Sequence, residues 1–138
     1  MPAIRRVLET ALYVDDVPRA RAFYLEVLGL KPLGQDGPRL VALDAGGASV
    51  LLLFKRGATA GGLEFPGGRI PPHDGAGPAH VAFAVDADQL AAWERRLAEH
   101  GVEIESRARW SRGGQSLYFR DPDGHSVELA TPGTWATY

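Results

Sequence analysis

The sequence contains no cysteine, which excludes disulfides, thiolate zinc sites and cysteine nucleophiles. It also has no apolar run of the roughly 18 residues that a membrane-spanning helix needs. Its 15 Lys and Arg residues are matched by 17 Asp and Glu residues and form no basic stripe, so nucleic acids and membranes are not expected partners. Any metal must be held by His, Asp or Glu, and we expect a cytoplasmic protein.

The chain has 138 residues, 45% of them hydrophobic and 23% charged, which is typical of one soluble globular domain. In the first half, alternating apolar residues predict a strand over 4–14. A helix is then predicted from Asp15 to Gly29, followed by a hairpin of strands 39–44 and 48–54. The first half therefore reads as a strand, a helix and further strands.

The second half repeats this order. A strand is predicted over 79–85, and a helix follows Asp86 and ends at Gly101. Three further strands are predicted over 102–110, 115–120 and 125–130. We therefore expect one domain, 1–138, with a first module over 1–56, a Gly- and Pro-rich connector over 57–77 and a second module over 78–138.

The repeat identifies positions of possible chemical importance. The segment from Glu9 to Asp15 aligns with that from His80 to Asp86, and the segment around Leu51 aligns with that around Glu128. Glu9, His80 and Glu128 are all metal-ligand types among apolar neighbours, so we expect them on buried sheet faces, where an unpaired charge is costly. A shared divalent cation would compensate for that cost.

Simpler explanations remain open for each residue taken alone. His80 could be a hydrogen-bonded core histidine, and Glu128 could be the partner of an arginine. Glu9 could pair with Arg5, with Arg6 or with an arginine of the second half. The joint pattern of three ligand types at repeat-related positions is what favours a metal site.

Several segments resemble the vicinal-oxygen-chelate superfamily, which includes glyoxalase I, extradiol dioxygenases, fosfomycin-resistance proteins and bleomycin-binding proteins. These segments are PAHVAFAV from Pro78, SLYFRDPDGHSVEL from Ser116 and ETALYVDDVPRARAFYLEVLGL from Glu9. The resemblance implies an α+β fold of two βαβββ modules whose curled sheets form an open barrel-like cavity. It covers nearly the whole chain and is weakest in the connector.

The resemblance also implies a metal centre with Glu9, His80 and Glu128 as ligands. A fourth ligand of glyoxalase-type members would fall on Leu51, which cannot bind metal. One imidazole and two carboxylates favour Mn, Fe, Mg or Co over copper, with Zn possible, and Ni is also among the divalent ions expected. The expected activity is that of a metal-dependent lyase, isomerase or dioxygenase on an oxygen-bearing small molecule, in which Glu9 is the third ligand or a carboxylate base.

Other residues could contribute to the cavity. Tyr118 either contacts substrate, as the resemblance implies for this position, or only fills the cavity mouth. Arg109 and Arg112 belong either to a ligand-binding loop or to an exposed hairpin tip. His73 and Asp74 are expected to be ordinary loop residues or else an acid and base over the opening. His100 and His125 are expected at the surface.

Two further expectations concern the class of protein and its assembly. The alternative to an enzyme is a metal-free binding or sequestering protein of the bleomycin-resistance type, which Trp110 and Tyr118 would permit. In that case the carboxylates should pair with arginines, more than about 6 Å from His80, because metal ligands must lie around one ion. An exposed sheet edge together with Trp135 and Tyr138 predicts a homodimer.

Overall fold

The computed structural model describes residues 1–138, which form two compact units, Met1–Ala76 and Gly77–Tyr138. Each unit contains a strand, a helix and three more strands in the order βαβββ. The expected α+β fold with two repeated modules is confirmed. Neither helix has the length and apolar character that crossing a membrane requires.

The first unit, called unit 1, has one four-stranded sheet of order β1-β4-β3-β2, in which β1 and β4 are parallel. A separate two-stranded hairpin, β5 and β6, lies in the connector. Its elements are β1 (Glu9–Val14), α1 (Val17–Glu26), β2 (Lys31–Asp36), β3 (Leu40–Ala45), β4 (Ser49–Lys55), β5 (Leu63–Phe65) and β6 (Gly68–Ile70).

The second unit, called unit 2, has a four-stranded sheet of order β7-β10-β9-β8, in which β7 and β10 are parallel. A 3₁₀ turn over Ala87–Gln89 precedes its helix. Its elements are β7 (His80–Ala84), α2 (Leu90–Glu99), β8 (Ser106–Arg109), β9 (Gln115–Arg120) and β10 (Ser126–Ala130). The two sheets therefore have the same connectivity.

Alternation of side chains along the strands builds the core of unit 1. Leu51 and Leu53 on β4 are fully buried, as is Val14 on β1. Helix α1 contributes Tyr24, which is also fully buried. The helix begins where the carboxylate of Asp16 accepts a hydrogen bond from the backbone N–H of Arg19, a cap that satisfies one of the unpaired amides of the first turn.

Two predicted strands need correction, and three further strands were not predicted. The first strand begins at Glu9 and not at residue 4. Its only partner is β4, and the last hydrogen bond between the two runs from the N–H of Val50 to the carbonyl of Leu8, so the residues before Leu8 have no strand to pair with. Strand β8 is limited to Ser106–Arg109. The edge strand β2 and the connector hairpin β5–β6 were not predicted, because their Pro- and Gly-containing sequences lack alternating apolar residues.

The backbone register also corrects the assumed repeat. The N–H of Val50 bonds to Leu8 O in unit 1, and the N–H of Ser126 bonds to Ala79 O at the matching position in unit 2. Val50 therefore matches Ser126, and two residues further along each strand Leu52, not Leu51, matches Glu128. Leu51 is fully buried, whereas Leu52 is half-buried. The conclusion that unit 1 offers no metal ligand at this position is unchanged.

Candidate functional site

The structure brings His80 and Glu128 together on the sheet of unit 2. His80 is the first residue of the edge strand β7, and Glu128 lies on the neighbouring strand β10. The Nε2 atom of His80 is 3.2 Å from Oε1 of Glu128. The Glu128 side chain is only 8% exposed, whereas that of His80 is 52% exposed, so the pair has one buried and one accessible member.

Both side chains are held by further hydrogen bonds. Nδ1 of His80 is 2.9 Å from the backbone carbonyl oxygen of Ser126. The hydroxyl of Ser116 donates to Oε2 of Glu128 at 2.5 Å, and the indole N–H of Trp110 donates to that hydroxyl oxygen at 2.8 Å. Trp110, Ser116 and Glu128 therefore form a continuous hydrogen-bonded chain, which fixes the orientation of the carboxylate.

Tyr118 lies directly opposite Glu128 on strand β9. Its ring is stacked on that of His80, with 6.3 Å between the ring centroids. Burial, and secondly the negative charge of Glu128, raise the pKa of the Tyr118 hydroxyl. Tyr118 is therefore a neutral phenol at physiological pH and can donate a hydrogen bond at this site.

The two ring nitrogens of His80 face more hydrogen-bond acceptors than a neutral imidazole can satisfy. Both ring nitrogens face oxygen acceptors, on Ser126 and Glu128, but a neutral imidazole carries only one N–H. With Nδ1–H donating to the carbonyl of Ser126, the contact between Nε2 and Glu128 needs a second proton or a cation. Orientation of a histidine by a backbone carbonyl is the usual arrangement around metal-bound imidazoles.

The spacing of the two side chains fits two neighbouring ligands of one ion. Ligand atoms about 2.1 Å from a metal lie about 3.0 Å apart at a right angle and about 3.4 Å apart at the tetrahedral angle. The 3.2 Å between His80 Nε2 and Glu128 Oε1 falls between these values. No cluster of three or more His, Asp or Glu side chains suited to a metal occurs in the chain, so this pair is the part of the predicted ligand set that the structure assembles.

Glu9, the third predicted ligand, is the exposed first residue of strand β1 in unit 1. The prediction that all three candidate ligands are buried is wrong for Glu9 and His80. Each of these two residues begins an edge strand, where the sheet leaves the side chain accessible, whereas Glu128 lies on a strand with neighbours on both sides. Glu9 lines a cavity of about 470 Å³ that belongs to unit 1.

This cavity is mostly apolar and contains a histidine from the connector. Its apolar lining includes Leu40, Leu52 and Phe54, and its polar lining includes Arg39 and His73. Nδ1 of His73 is 2.6 Å from the hydroxyl oxygen of Tyr13, and the His73 ring meets the Phe54 ring edge-on. His73 is thus held in place on the sheet of unit 1, although it lies outside regular secondary structure.

Asp74 follows His73 and is exposed, but two backbone amides fix its carboxylate. The N–H groups of Gly57 and Gly75 donate to the same oxygen, at 3.1 and 2.9 Å. These hydrogen bonds, from Gly57 first, lower the pKa of Asp74, which is therefore ionised near neutral pH. Sequence reasoning missed this ordered arrangement, because a Gly- and Pro-rich connector shows no periodicity.

The two remaining histidines differ in exposure, and the arginines of the predicted basic loop are exposed. His125 was expected at the surface but is 1% exposed. Its Nδ1 accepts a hydrogen bond from the backbone N–H of Ala79, which ties the last turn to the start of β7 and so explains its burial. His100 is exposed at the end of α2, as expected, and Arg109 and Arg112 are exposed at the β8–β9 hairpin.

Sequence reasoning named His80, Glu128 and Tyr118 but missed Ser116. The signal was present, because Ser116 precedes Tyr118 by two residues on a strand and therefore shares its face. It also missed the contact of Trp110 with this cluster. No short motif joins a tryptophan in a hairpin loop to a glutamate 18 positions later, so only the fold could reveal it.

The chain is similar to several known proteins. The curated metallothiol transferase FosB of Bacillus licheniformis is 42% identical over 53 residues, which are 38% of this chain and 34% of that protein. The chain thus matches about a third of the length of this relative. A crystal structure of lactoylglutathione lyase from Agrobacterium tumefaciens is 32% identical, with a TM-score of 0.87 over 98% of this chain and 99% of that one.

A binding protein of the same fold is also similar. The crystal structure of TnmS3, an antibiotic binding protein from Streptomyces sp. CB03234, is 27% identical, with a TM-score of 0.69 over 96% of this chain and 99% of that one. The sequence profile of one superfamily matches residues 6–129, which is most of the chain. The chain belongs to the Glyoxalase/Bleomycin resistance protein/Dioxygenase superfamily.

Proposed function

We propose that this protein is a small enzyme that depends on a divalent metal, with His80 and Glu128 as two of the ligands. The observation that carries the proposal is the pair itself, in which Nε2 of His80 lies 3.2 Å from Oε1 of Glu128. A second contact orients each side chain: Nδ1 of His80 lies near the carbonyl of Ser126, and Oε2 of Glu128 accepts a hydrogen bond from Ser116. Divalent-metal dependence is typical of the superfamily. The similarity to a metallothiol transferase and to a lyase supports an enzymatic role.

The bound ion would polarise an oxygen-bearing substrate and stabilise negative charge on it. The chain's own residues have separate tasks. Ser116 holds one oxygen of Glu128, so that the other is directed toward His80. Tyr118 keeps its phenolic proton, and its hydroxyl already lies within hydrogen-bonding reach of Glu128 and Ser116, so a substrate oxygen beside the pair would compete with Glu128 for that proton. A lyase, isomerase or dioxygenase reaction is compatible with this set of groups.

Glu9 is proposed as the third ligand or as a carboxylate base that moves a proton on or off carbon. The two roles make different predictions for Glu9→Gln. Weaker ion binding would support the ligand role, whereas normal ion binding with slow turnover would support the base. Normal binding together with normal turnover would exclude Glu9 from the site.

The main test is ion binding by the purified full chain, using Mn²⁺ in calorimetry and elemental analysis after removal and return of the metal. We expect one ion per chain, and a loss of affinity of at least about 100-fold in His80→Ala and Glu128→Gln, because each removes a direct ligand. The matched control is His100→Ala, which removes an exposed histidine on α2. The proposal fails if no stoichiometric ion binds and His80→Ala behaves as the unaltered protein does.

A second candidate function is metal-free binding of a small molecule. The largely apolar cavity of unit 1 favours it, as does the similarity to an antibiotic binding protein. The position of Glu128 favours the enzyme, because this carboxylate faces His80 at 3.2 Å and bonds to Ser116. Ligand binding that persists in the metal-stripped protein, with no reaction in its metal-loaded form, would favour the binder.

We also propose that the protein is a homodimer. Trp135 is 73% exposed, which is unusual for a tryptophan and is consistent with a surface that another chain covers. Tyr138 is a weaker candidate for such a contact, because its hydroxyl donates to the carbonyl oxygens of Val85 and Ala130 in its own unit. Light scattering after size exclusion should give twice the chain mass, and a monomer at micromolar concentration would refute the dimer.

A further inference from the structure

The cavity of unit 1 contains a hydrogen-bonding group that the proposed metal chemistry does not use. His73 reaches the cavity from the connector and is fixed there by three separate contacts. Its Nδ1 lies 2.6 Å from the Tyr13 hydroxyl, its ring centroid lies 4.7 Å from that of Phe54, and its backbone N–H bonds to Thr59 O at 3.1 Å. The Thr59 hydroxyl donates in turn to the carbonyl of His73.

Gly75 shows how closely the connector approaches Tyr13. A Cβ atom at Gly75 would lie 2.5 Å from the Tyr13 ring, closer than carbon atoms can approach, so this position needs glycine. Two residues after His73, the chain therefore packs directly on the tyrosine that His73 contacts. The Tyr13–His73 pair is thus a built feature of unit 1.

The contact with Tyr13 also determines which nitrogen of His73 can serve a ligand. Burial, and secondly the charge of Asp74, raise the pKa of the Tyr13 hydroxyl, which therefore keeps its proton. A phenol O–H that donates to Nδ1 leaves the proton of a neutral imidazole on Nε2. His73 then offers Nε2–H as a donor for a ligand in the cavity.

The charges of the lining indicate what kind of ligand fits. Arg39 is the cationic residue of the lining, but its Nε and Nη2 both bond to Oδ2 of Asp36, at 3.0 and 2.8 Å, so its charge is already balanced. Glu9 adds an acidic side chain. The lining therefore does not favour an anion. Leu52 supplies an aliphatic surface and Phe54 an aromatic one, and about 470 Å³ is within the range of small-molecule pockets.

We propose that the cavity of unit 1 binds a neutral, planar, largely apolar molecule whose carbonyl oxygen accepts a hydrogen bond from Nε2 of His73. Every residue that this assignment uses belongs to unit 1. It deepens the second candidate function, metal-free binding of a small molecule, on which it rests; it shares Glu9 with the proposed metal centre but does not require an ion.

The test uses three probes of similar size with the metal-stripped full chain in the presence of chelator, so that an absent metal site cannot affect the result. The probes are α-tetralone, tetralin, which lacks the oxygen, and 2-naphthoate, which is anionic. We expect α-tetralone to perturb the amide resonances of Thr10 and Leu52 and to bind about tenfold more tightly than tetralin, the value of one hydrogen bond. 2-Naphthoate should bind more weakly than α-tetralone.

His73→Phe keeps an aromatic ring but removes the donor. It should weaken α-tetralone binding about tenfold and leave tetralin binding unchanged, while the matched control His100→Phe changes neither. Independently of any variant, long-range ¹H–¹⁵N spectra near neutral pH should show His73 with its proton on Nε2, and Tyr13→Phe should mix the two tautomers. The proposal is overturned if α-tetralone does not bind, if tetralin binds equally well, if His73→Phe has no effect or if the perturbed amides lie in unit 2.

Discussion

The two units share one backbone plan, but matching positions of their sheets hold different side chains. By backbone register, His80 corresponds to Glu9 and Glu128 corresponds to Leu52. One strand further, Tyr118 corresponds to Ala42. Unit 2 thus carries an imidazole, a carboxylate and a phenol, where unit 1 carries a carboxylate and two small or apolar residues.

The consequence is a division of chemistry between two similar scaffolds. In unit 2 the polar side chains of His80, Glu128 and Ser116 contact one another, and this is the arrangement that we propose as a cation site. In unit 1 the positions that match Ser116 and Glu128 are Leu40 and Leu52, which line a cavity, and the connector adds the imidazole of His73 to this cavity. The comparison shows that the fold supplies positions and that the side chains decide which chemistry is possible at each.

The largest expected effect tests the register on which this comparison depends. Leu51→Ala should destabilise the protein by about 2–5 kcal/mol, because Leu51 is fully buried and its loss leaves a core cavity. Leu52→Ala should cost about 1 kcal/mol, since that side chain is half-buried beside existing empty space. Urea unfolding measures both. A larger loss for Leu52→Ala than for Leu51→Ala would mean that Leu52 and not Leu51 packs in the core, which would contradict this register.

The next effect tests whether Ser116 makes unit 2 different from unit 1. Ser116→Ala should lower Mn²⁺ affinity about 10–100-fold, because Glu128 loses the hydroxyl that orients it. Ser116→Thr keeps a hydroxyl and should restore most of that affinity. Leu40→Ala, at the matching position of unit 1, is the control and should leave ion binding unchanged. Undiminished affinity in Ser116→Ala would show that the hydroxyl does not position the ligand.

Sequence patterns predicted strands and helices best where one face of the element is buried and the other exposed, and where a turn-forming residue follows its last residue. Strand β9 was predicted with the observed limits, 115–120, and Gly101 follows α2 as expected. Strand β2 was missed, because all its residues are exposed and it contains Pro32 and Gly34, which weaken any strand signal. Its pairing with β3, which only the fold provides, makes it a strand.

For the candidate site, the repeat identified two side chains that the fold brings together, but not their environments. It suggested His80 and Glu128, which the fold brings within 3.2 Å, but it gave the wrong partner for Glu128 by one residue. Residue type does not reveal burial at an edge strand, so the exposure of Glu9 could not be predicted. The Tyr13–His73 contact joins positions 60 residues apart and carries no local signal.

A smaller effect compares the starts of the two helices. The carboxylate of Asp16 caps α1, whereas Asp86, which precedes the 3₁₀ turn before α2, makes no capping hydrogen bond with its side chain. Asp16→Ala should therefore cost about 0.5–2 kcal/mol, the usual value of a lost cap. Asp86→Ala should change stability by less than about 0.5 kcal/mol. Thermal or urea unfolding decides, and equal costs would show that both helices depend on a side-chain cap.

The smallest effect compares one tyrosine from each unit. Burial is the larger cause of the raised pKa of Tyr13 and the charge of Asp74 the smaller, whereas for Tyr118 the nearby charge is that of Glu128. Asp74→Asn should therefore lower the pKa of Tyr13 only part of the way and leave that of Tyr118 unchanged, as ¹³C NMR of the tyrosine rings would show. A fall of the Tyr13 pKa to the ordinary value, near 10, would make the charge and not burial the main cause.

The same raised pKa gives a signed prediction for stability. A folded-state pKa above the unfolded value means that the folded protein retains a proton that the unfolded chain loses as the pH rises past about 10. The contribution of Tyr13 to stability is therefore complete below that pH and decreases as the pH rises toward the folded-state pKa. Tyr13→Phe removes the titrating group and should make stability less dependent on pH in this alkaline range. An unchanged pH dependence in Tyr13→Phe would show that Tyr13 titrates alike in the folded and unfolded chains.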